Sequence, residues 1–334
     1  MIIDCQHHYF PEEQLKTFAK CLRPSERIEI AASHPSLPGV NTVAVVRDNI
    51  TVWNIPPIYT DLKAQIQEMN EQGVDMAILS TGLGQEWITL ESARTINDSM
   101  AKAIRDYPGR FLGLAHVPQL GGEGIEELDR AVKDLHLKGA AVMTNVEGIY
   151  PDGEQWQPFL AKCEELQIPI VAHATALPFE HDALKSYDEQ EYTWARIVGR
   201  AYDLTVFTMR VLTSGILKRY PNLKFCIAHT GGTFFALKNV YVKRHTDSKG
   251  TIENNMKRLY FDTSIRSNET EIRTAIELLG AEQLVFATDF PYWSAKSYLK
   301  LFENLNPKIK EMIFSENAKK LFEIDIGDYA AKSC

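Results

Sequence analysis

Apolar residues along this chain fall into short, almost continuous runs, separated by longer stretches in which they recur every three or four positions. The runs are MIIDCQ (1–6), VDMAILS (74–80), FLGLAHV (111–117), GAAVMT (139–144), IPIVAHA (168–174), LKFCIAH (223–229), RLYFDTS (258–264) and QLVFATD (283–289). Runs of this kind, without strict polar alternation, are what parallel strands need when both faces are covered. Helical stretches separate most of them. DLKAQIQEMNEQG (61–73) places Leu62, Ile66 and Met69 at helical spacing and closes on Gly73; 89–109, 124–139, 156–168, 203–222 and 268–283 follow the same plan. Several of these helices run out into Gly or Pro-Asn, both sound stop signals. Eight strands alternating with helices predict an α/β fold, a (β/α)8 TIM barrel, in one domain spanning 1–334. A doubly wound open sheet is the alternative, but no GxGxxG follows the first run, which weakens its dinucleotide-binding form. Residues 9–60 and 174–202 are longer than a minimal barrel needs and carry no clear periodic pattern. They are expected to be long insertions after strands 1 and 5, of the kind that form lids or contact surfaces.

Composition narrows the class. Of 334 residues, 45% are hydrophobic and 24% charged, as in an ordinary globular protein. The net charge of −8 argues against a nucleic-acid partner, whose footprint is basic. No apolar run approaches the ~18 residues of a membrane span. The start, MIIDCQ, lacks a signal peptide's basic and apolar regions, so a cytoplasmic protein is expected. Cys5, Cys21, Cys163, Cys226 and Cys334 are odd in number and widely spaced, and are read as reduced thiols. Cys5, Cys163 and Cys226 lie in apolar runs or helices and are expected to be buried by packing.

Chemistry in a barrel of this type sits where the strands finish. The first strand runs out into Gln6-His7-His8, the fifth into His173, the sixth into His229 and the eighth into Asp289. Any one of these alone reads as a hydrogen-bonded structural histidine or a turn-capping aspartate. Together, imidazoles and a carboxylate at one rim match the preferences of a divalent transition metal such as zinc. Strand side chains alternate, so Asp4, Gln6 and His8 are expected on one face, with Cys5 and His7 on the other. His8 is the better ligand of the histidine pair and His7 a structural neighbour. Phe290, Tyr292 and Trp293 follow Asp289 closely and suit an apolar wall beside it, or the anchoring of the loop.

These segments, taken in order, resemble the amidohydrolase superfamily (amidohydrolase-2 type), and within it the branch typified by aminocarboxymuconate-semialdehyde decarboxylase. γ-Resorcylate, 5-carboxyvanillate and 2,3-dihydroxybenzoate decarboxylases belong to the same branch. The resemblance is carried by IDCQHH…P (3–11), VVRDN (45–49), EMNEQGVDMAILST (68–81), RFLGLAHVPQ (110–119), His173-Ala174, SGILKRYPNLKFCIAHTGG (214–232), ATDFP (287–291) and ENAKKLF (316–322). It implies a metal site of His8, His173 and Asp289. Gln6 stands where the family has its first ligand, as HxH or ExH, and is a fourth candidate. Met143 and Thr144 occupy the strand-four position without a bridging lysine, which implies one metal ion, zinc first and manganese second. It also implies that His229 transfers a proton, with Asp289 as a second proton acceptor, and that Arg47 and Trp194 meet the substrate.

A divalent ion held by two neutral imidazoles and one carboxylate leaves a net charge of about +1, which favours an anionic substrate. The resemblance therefore implies non-oxidative decarboxylation of a small unsaturated or aromatic carboxylic acid. The alternative is a hydrolase of the same superfamily, opening a lactone or amide. A second family arginine, contributed across a dimer, has no counterpart: Val240 stands there, with Lys238 and Arg244 nearby. This weakens the aminocarboxymuconate substrate itself. A homodimer is expected by analogy.

Overall fold

The computed structural model describes residues 1–14, 22, 24, 26–31, 41–47, 50–82, 85, 88–175, 195–244, 249–264 and 268–325. Among them are eleven strands: β1 (Ile3–His8), β2 (Glu26–Ala31), β3 (Thr42–Arg47), β4 (Ile50–Ile55), β5 (Met76–Ser80), β6 (Phe111–Gly113), β7 (Ala140–Met143), β8 (Ile170–His173), β9 (Phe225–Ile227), β10 (Leu259–Asp262) and β11 (Leu284–Val285). All eight predicted runs contain a strand, and these eight pair in parallel, in the orders β1-β5-β6 and β11-β10-β9-β8-β7. Further hydrogen bonds extend each end. Ala115 accepts from Ala141 N–H at 2.9 Å and donates to Gly139 at 2.7 Å, beside β7. Cys5 N–H reaches the Phe286 carbonyl at 2.9 Å, and Phe290 N–H the Gln6 carbonyl at 3.2 Å.

The strands read as unbroken apolar runs because both faces are covered. Ala77, Leu79, Val142, Ala172, Phe225, Ile227, Phe261 and Phe286 pack outward with the helices. The residues between them turn the other way: Ile3, Cys5, Met76, Ile78, Leu112, Ala141, Cys226, Tyr260 and Val285 join one inner cluster, edged by Val171. All eight parallel strands therefore touch the same interior. Ala318, Leu321, Phe322 and Ile324, from the end of the described chain, pack into it as well. Cys5, Cys163 and Cys226 are buried free thiols, as their apolar surroundings predict; Cys21 and Cys334 lie outside the described residues.

Helices follow the predicted spacing, and their ends have local causes. Leu62–Gln72 is capped by the Asp61 carboxylate, which accepts from Lys63 and Ala64 N–H at 3.0 Å each, a cap worth about 1 kcal/mol. It stops at Gly73, whose left-handed φ of 78° suits glycine. No described helix is long and apolar enough to cross a membrane.

The connection after β1 departs from the expected patternless loop. It holds an antiparallel sheet of order β2-β3-β4. Val43 and Val45 of β3, Trp53 and Ile55 of β4, and Ile28 of β2 turn to one side, where Phe10, Tyr59 and Met143 meet them. The period-2 signal is present in TVAVVR and ITVWNI but each strand is only six residues long. The other long connection, after β8, lies mostly outside the described residues.

Candidate metal centre

The strand ends are brought to one place by the parallel pairing, and β1 reaches it through an irregularity. Register slips between Asp4 and His7. Simple alternation therefore fails here. Asp4 and His7, expected on opposite faces, meet: Asp4 Oδ2 lies 3.2 Å from His7 Nδ1. Cys5 joins the inner cluster rather than facing the helices. Asp4 also accepts from Thr288 N–H at 3.0 Å and from the Thr288 hydroxyl at 2.5 Å, tying β1 to the residue before Asp289. His7 stacks on Phe290 with ring centres 4.0 Å apart, the structural place expected for it. The slip leaves Gln6 and His8 both beside Asp289.

His8 Nε2 lies 2.8 Å from Asp289 Oδ1, and His173 Nε2 lies 3.9 Å from the same oxygen. One ligand atom from each of His8, His173 and Asp289 falls within 4.8 Å of the other two. Ligands about 2.1 Å from a shared ion stand roughly 3–4 Å apart, so these three fit one divalent metal. Their protonation suits it too. His173 Nδ1 faces the Ala174 carbonyl at 2.9 Å and can only donate there, which leaves the lone pair on Nε2. Burial, then the neighbouring His229, holds the His173 pKa well below its ordinary value, so the ring is neutral at pH 7. Burial alone would raise the Asp289 carboxyl. The hydrogen bond from His8, then the neighbouring His229 and His8, outweigh it and hold the carboxyl below its ordinary pKa, as an anion.

His229 stands beside the three, with its ring 5.2 Å from that of His173. Its N–H donates to Asp262 Oδ1 at 2.8 Å, and its Nδ1 lies 2.6 Å from Ser264 Oγ. His229 and Asp289 both adopt left-handed backbone conformations, with φ of 53° and 57°. That geometry costs a non-glycine residue roughly 1–2 kcal/mol and occurs here at the two residues expected to handle protons. Glycines permit the tight path: a Cβ on Gly232 would sit 2.0 Å from the Ala201 carbonyl oxygen.

Several supporting residues escaped the sequence reading. Tyr59 stacks on His8, with centres 5.8 Å apart, and its hydroxyl meets that of Tyr292 at 3.1 Å. Gln65 is buried and donates to the carbonyls of His8 and Ile58 at 3.1 and 2.9 Å. Gly82, with φ of 67°, lies against the His8 ring: a Cβ there would come within 2.5 Å of Cε1 and Nδ1. The preceding residue is fixed in turn, because Thr81 N–H donates to His116 Nε2 at 3.1 Å. His116 gives its Nδ1–H to the Leu114 carbonyl, and burial lowers its pKa to about 4, so it remains neutral and able to accept. Gly82→Ala should therefore push the His8 ring aside. Metal affinity, read by chelator competition, is expected to fall about 10- to 100-fold, whereas wild-type affinity would show that the ring has room to move.

Of the residues expected from sequence, His8, His173, His229, Asp289 and Gln6 come together. Phe290 stacks on His7, and Trp293 is 41% exposed. Arg47 ends β3, paired in register with Glu26 and Ile50; its side chain lies outside the described residues, as does Trp194. Val240 is exposed on the helix Phe234–Arg244.

A family model described as amidohydrolase matches residues 3–324. The chain belongs to the amidohydrolase family. This amidohydrolase is 25% identical over 287 residues to 2-amino-3-carboxymuconate-6-semialdehyde decarboxylase of Dictyostelium discoideum, covering 80% of this chain and 78% of that protein. It is 26% identical over 285 residues to γ-resorcylate decarboxylase of Polaromonas sp., covering 78% of this chain and 87% of that protein. A crystal structure of dihydroxybenzoic acid decarboxylase from Polaromonas sp., with bound manganese and the inhibitor 2-nitroresorcinol, shares the fold at a TM-score of 0.72 and 23% identity, covering 96% of each chain.

Proposed function

We propose that this amidohydrolase is a metal-dependent, non-oxidative decarboxylase of a small aromatic or unsaturated carboxylic acid. The observation that carries the reading is the convergence of His8, His173 and Asp289 within ligating distance of one point, with His229 alongside. Curated relatives aligned over about four-fifths of the chain are decarboxylases of a muconate and of a resorcylate. One divalent ion is proposed, zinc or manganese; two imidazoles and a carboxylate suit either.

When bound, the ion supplies a positive charge that orients an anionic substrate and draws electron density from it. The rest falls to side chains. The bond to the carboxylate carbon breaks, carbon dioxide leaves, and the electron pair stays on the ring or diene carbon. That carbon must take up one proton. His229 holds the proton on Nε2 and delivers it there; an imidazole titrates near neutrality and suits both halves of the transfer. Asp289, kept anionic chiefly by the hydrogen bond from His8, is the second acceptor. Tyr59, which stacks on His8, and the apolar face of β2–β4 beside it are proposed to limit water at this end of the strands. Arg47, at the end of β3 in that sheet, is proposed to pair with the substrate carboxylate as a planar fork. Trp194, Phe290 and Trp293 are proposed as the apolar lining.

The two parallel sheets are read as one closed (β/α)8 barrel forming a single domain, with insertions after its first and fifth strands. Support comes from the hydrogen bonds joining Ala115 to β7 and β1 to Phe286 and Phe290, and from the single interior that all eight strands share. The proposed setting is a cytoplasmic homodimer acting on a small molecule, with no nucleic-acid or membrane partner. A panel of aromatic and unsaturated carboxylic acids, with lactones alongside, tests the activity under zinc and under manganese. Release of carbon dioxide from at least one acid, with uptake of one proton per turnover, is expected. Lactone opening without carbon dioxide would overturn the reading.

A further inference from the structure

Gln6 is almost fully buried, and both ends of its amide are engaged. Its Nε2 donates to Asp289 Oδ1 at 2.8 Å, and its Oε1 lies 2.9 Å from Ser264 Oγ. The carboxylate can only accept, so turning the amide round would set oxygen against oxygen at Asp289. The one atom through which an amide could ligate a metal, Oε1, thus faces Ser264 Oγ, while the N–H end faces Asp289. The N–H bond to Asp289 survives ligation, since a ligating carboxylate commonly keeps a hydrogen bond on its outer side.

Ser264 has one hydroxyl hydrogen and, among the described residues, three polar neighbours: Gln6 Oε1 at 2.9 Å, Asp262 Oδ1 at 2.6 Å and His229 Nδ1 at 2.6 Å. Gln6 Oε1 is an acceptor. Asp262 Oδ1 already receives the backbone N–H groups of His229 at 2.8 Å and Ser264 at 3.0 Å, so it is an acceptor as well. The hydroxyl hydrogen goes to one of these two oxygens. His229 Nδ1 must then be the donor to Ser264 Oγ. A neutral His229 held this way carries its lone pair on Nε2, the form required of the atom that takes up and delivers the proton.

We infer that Gln6 is a positioning residue and not a ligand: its amide joins the Asp289 carboxylate to the Ser264 hydroxyl and, through that hydroxyl, fixes His229 as its Nδ1–H tautomer. The catalytic consequence rests on the decarboxylase reading; the ligand and tautomer assignments do not.

The test uses the full chain and two readouts that need no substrate. Metal affinity is measured with Mn2+ against a competing chelator. The ring nitrogens of His229 are observed by 15N NMR in the zinc-loaded protein, assigned by loss of the signal in His229→Asn. The unaltered chain should show a protonated Nδ1 and an unprotonated Nε2. Gln6→Leu should weaken Mn2+ binding by no more than the roughly 10- to 100-fold that losing a ligand's outer hydrogen bond costs, while its His229 signals shift towards mixed tautomers. Ser264→Ala should do the same, and Ser264→Thr, which keeps the hydroxyl, should restore the original pattern. With an active substrate, Gln6→Leu and Ser264→Ala should lower kcat about 10- to 100-fold at nearly constant KM. Ser264→Ala carries the test even if Gln6→Leu does not fold. A loss of Mn2+ affinity beyond about 100-fold in Gln6→Leu alone would make Gln6 a ligand and overturn the inference. An Nε2–H pattern in the unaltered chain, or His229 signals indifferent to both substitutions, would overturn it equally. If no acid is decarboxylated, the functional reading fails, while the metal and NMR results still decide the role of Gln6.

Discussion

His173→Ala and Asp289→Ala should each yield a folded chain that retains no metal after desalting and releases no carbon dioxide. Each change removes one of three side chains whose donor atoms converge within 4.8 Å. Two remaining ligands cannot hold a divalent ion against water, so the loss should exceed the roughly 100-fold that outer-sphere changes cost. The two variants differ in what they leave behind. Without Asp289, His8 and His173 lose the carboxylate beside them, 2.8 and 3.9 Å away. Without His173, Asp289 keeps its 2.8 Å contact with His8 and its hydrogen bond from Gln6. Metal content by mass spectrometry, with circular dichroism to verify folding, reads both. A His173→Ala chain that kept stoichiometric metal would remove β8 from the site.

His229→Asn separates chemistry from metal binding. The asparagine can still donate towards Ser264, where Nδ1 now stands 2.6 Å away, but it cannot accept and deliver a proton. The expected result is metal affinity within about threefold of the unaltered chain and a fall in turnover of about 10²- to 10⁴-fold, the usual contribution of a positioned acid–base group. A fall of 10³ corresponds to about 4 kcal/mol of transition-state stabilisation. Full turnover in this variant would assign proton transfer elsewhere, with Asp289 the next group in reach.

The parallel strands were legible because burial on both faces leaves a run such as Ala140–Met143 with no polar position. The sheet β2–β4 was not. Its strands are short, one side faces Phe10, Tyr59 and Met143, and the connection around it is rich in polar residues and proline. Within the site, His8, His173, His229 and Asp289 could be read off strand ends because a metal demands particular residue types there. Gly82 could not: its role is to lack a side chain where the ring of His8, 74 positions earlier, passes by. Nor could the Asp4–His7 contact, which exists only because β1 slips register between them. Ser264 ends the run RLYFDTS in plain view, but a hydroxyl is no metal ligand type, and its importance appears only when Gln6 and His229 close on it from two other strands.

One divalent ion, held by His8, His173 and Asp289, is proposed to make this amidohydrolase a decarboxylase. Metal-stripped protein titrated with zinc or with manganese, with carbon dioxide release followed at each addition, tests it most directly. The expected course is no release before metal is added, a linear rise, and a plateau at one ion per chain, with His173→Ala flat throughout. Carbon dioxide release from stripped protein, or a rise in His173→Ala that matches the unaltered chain, would contradict it.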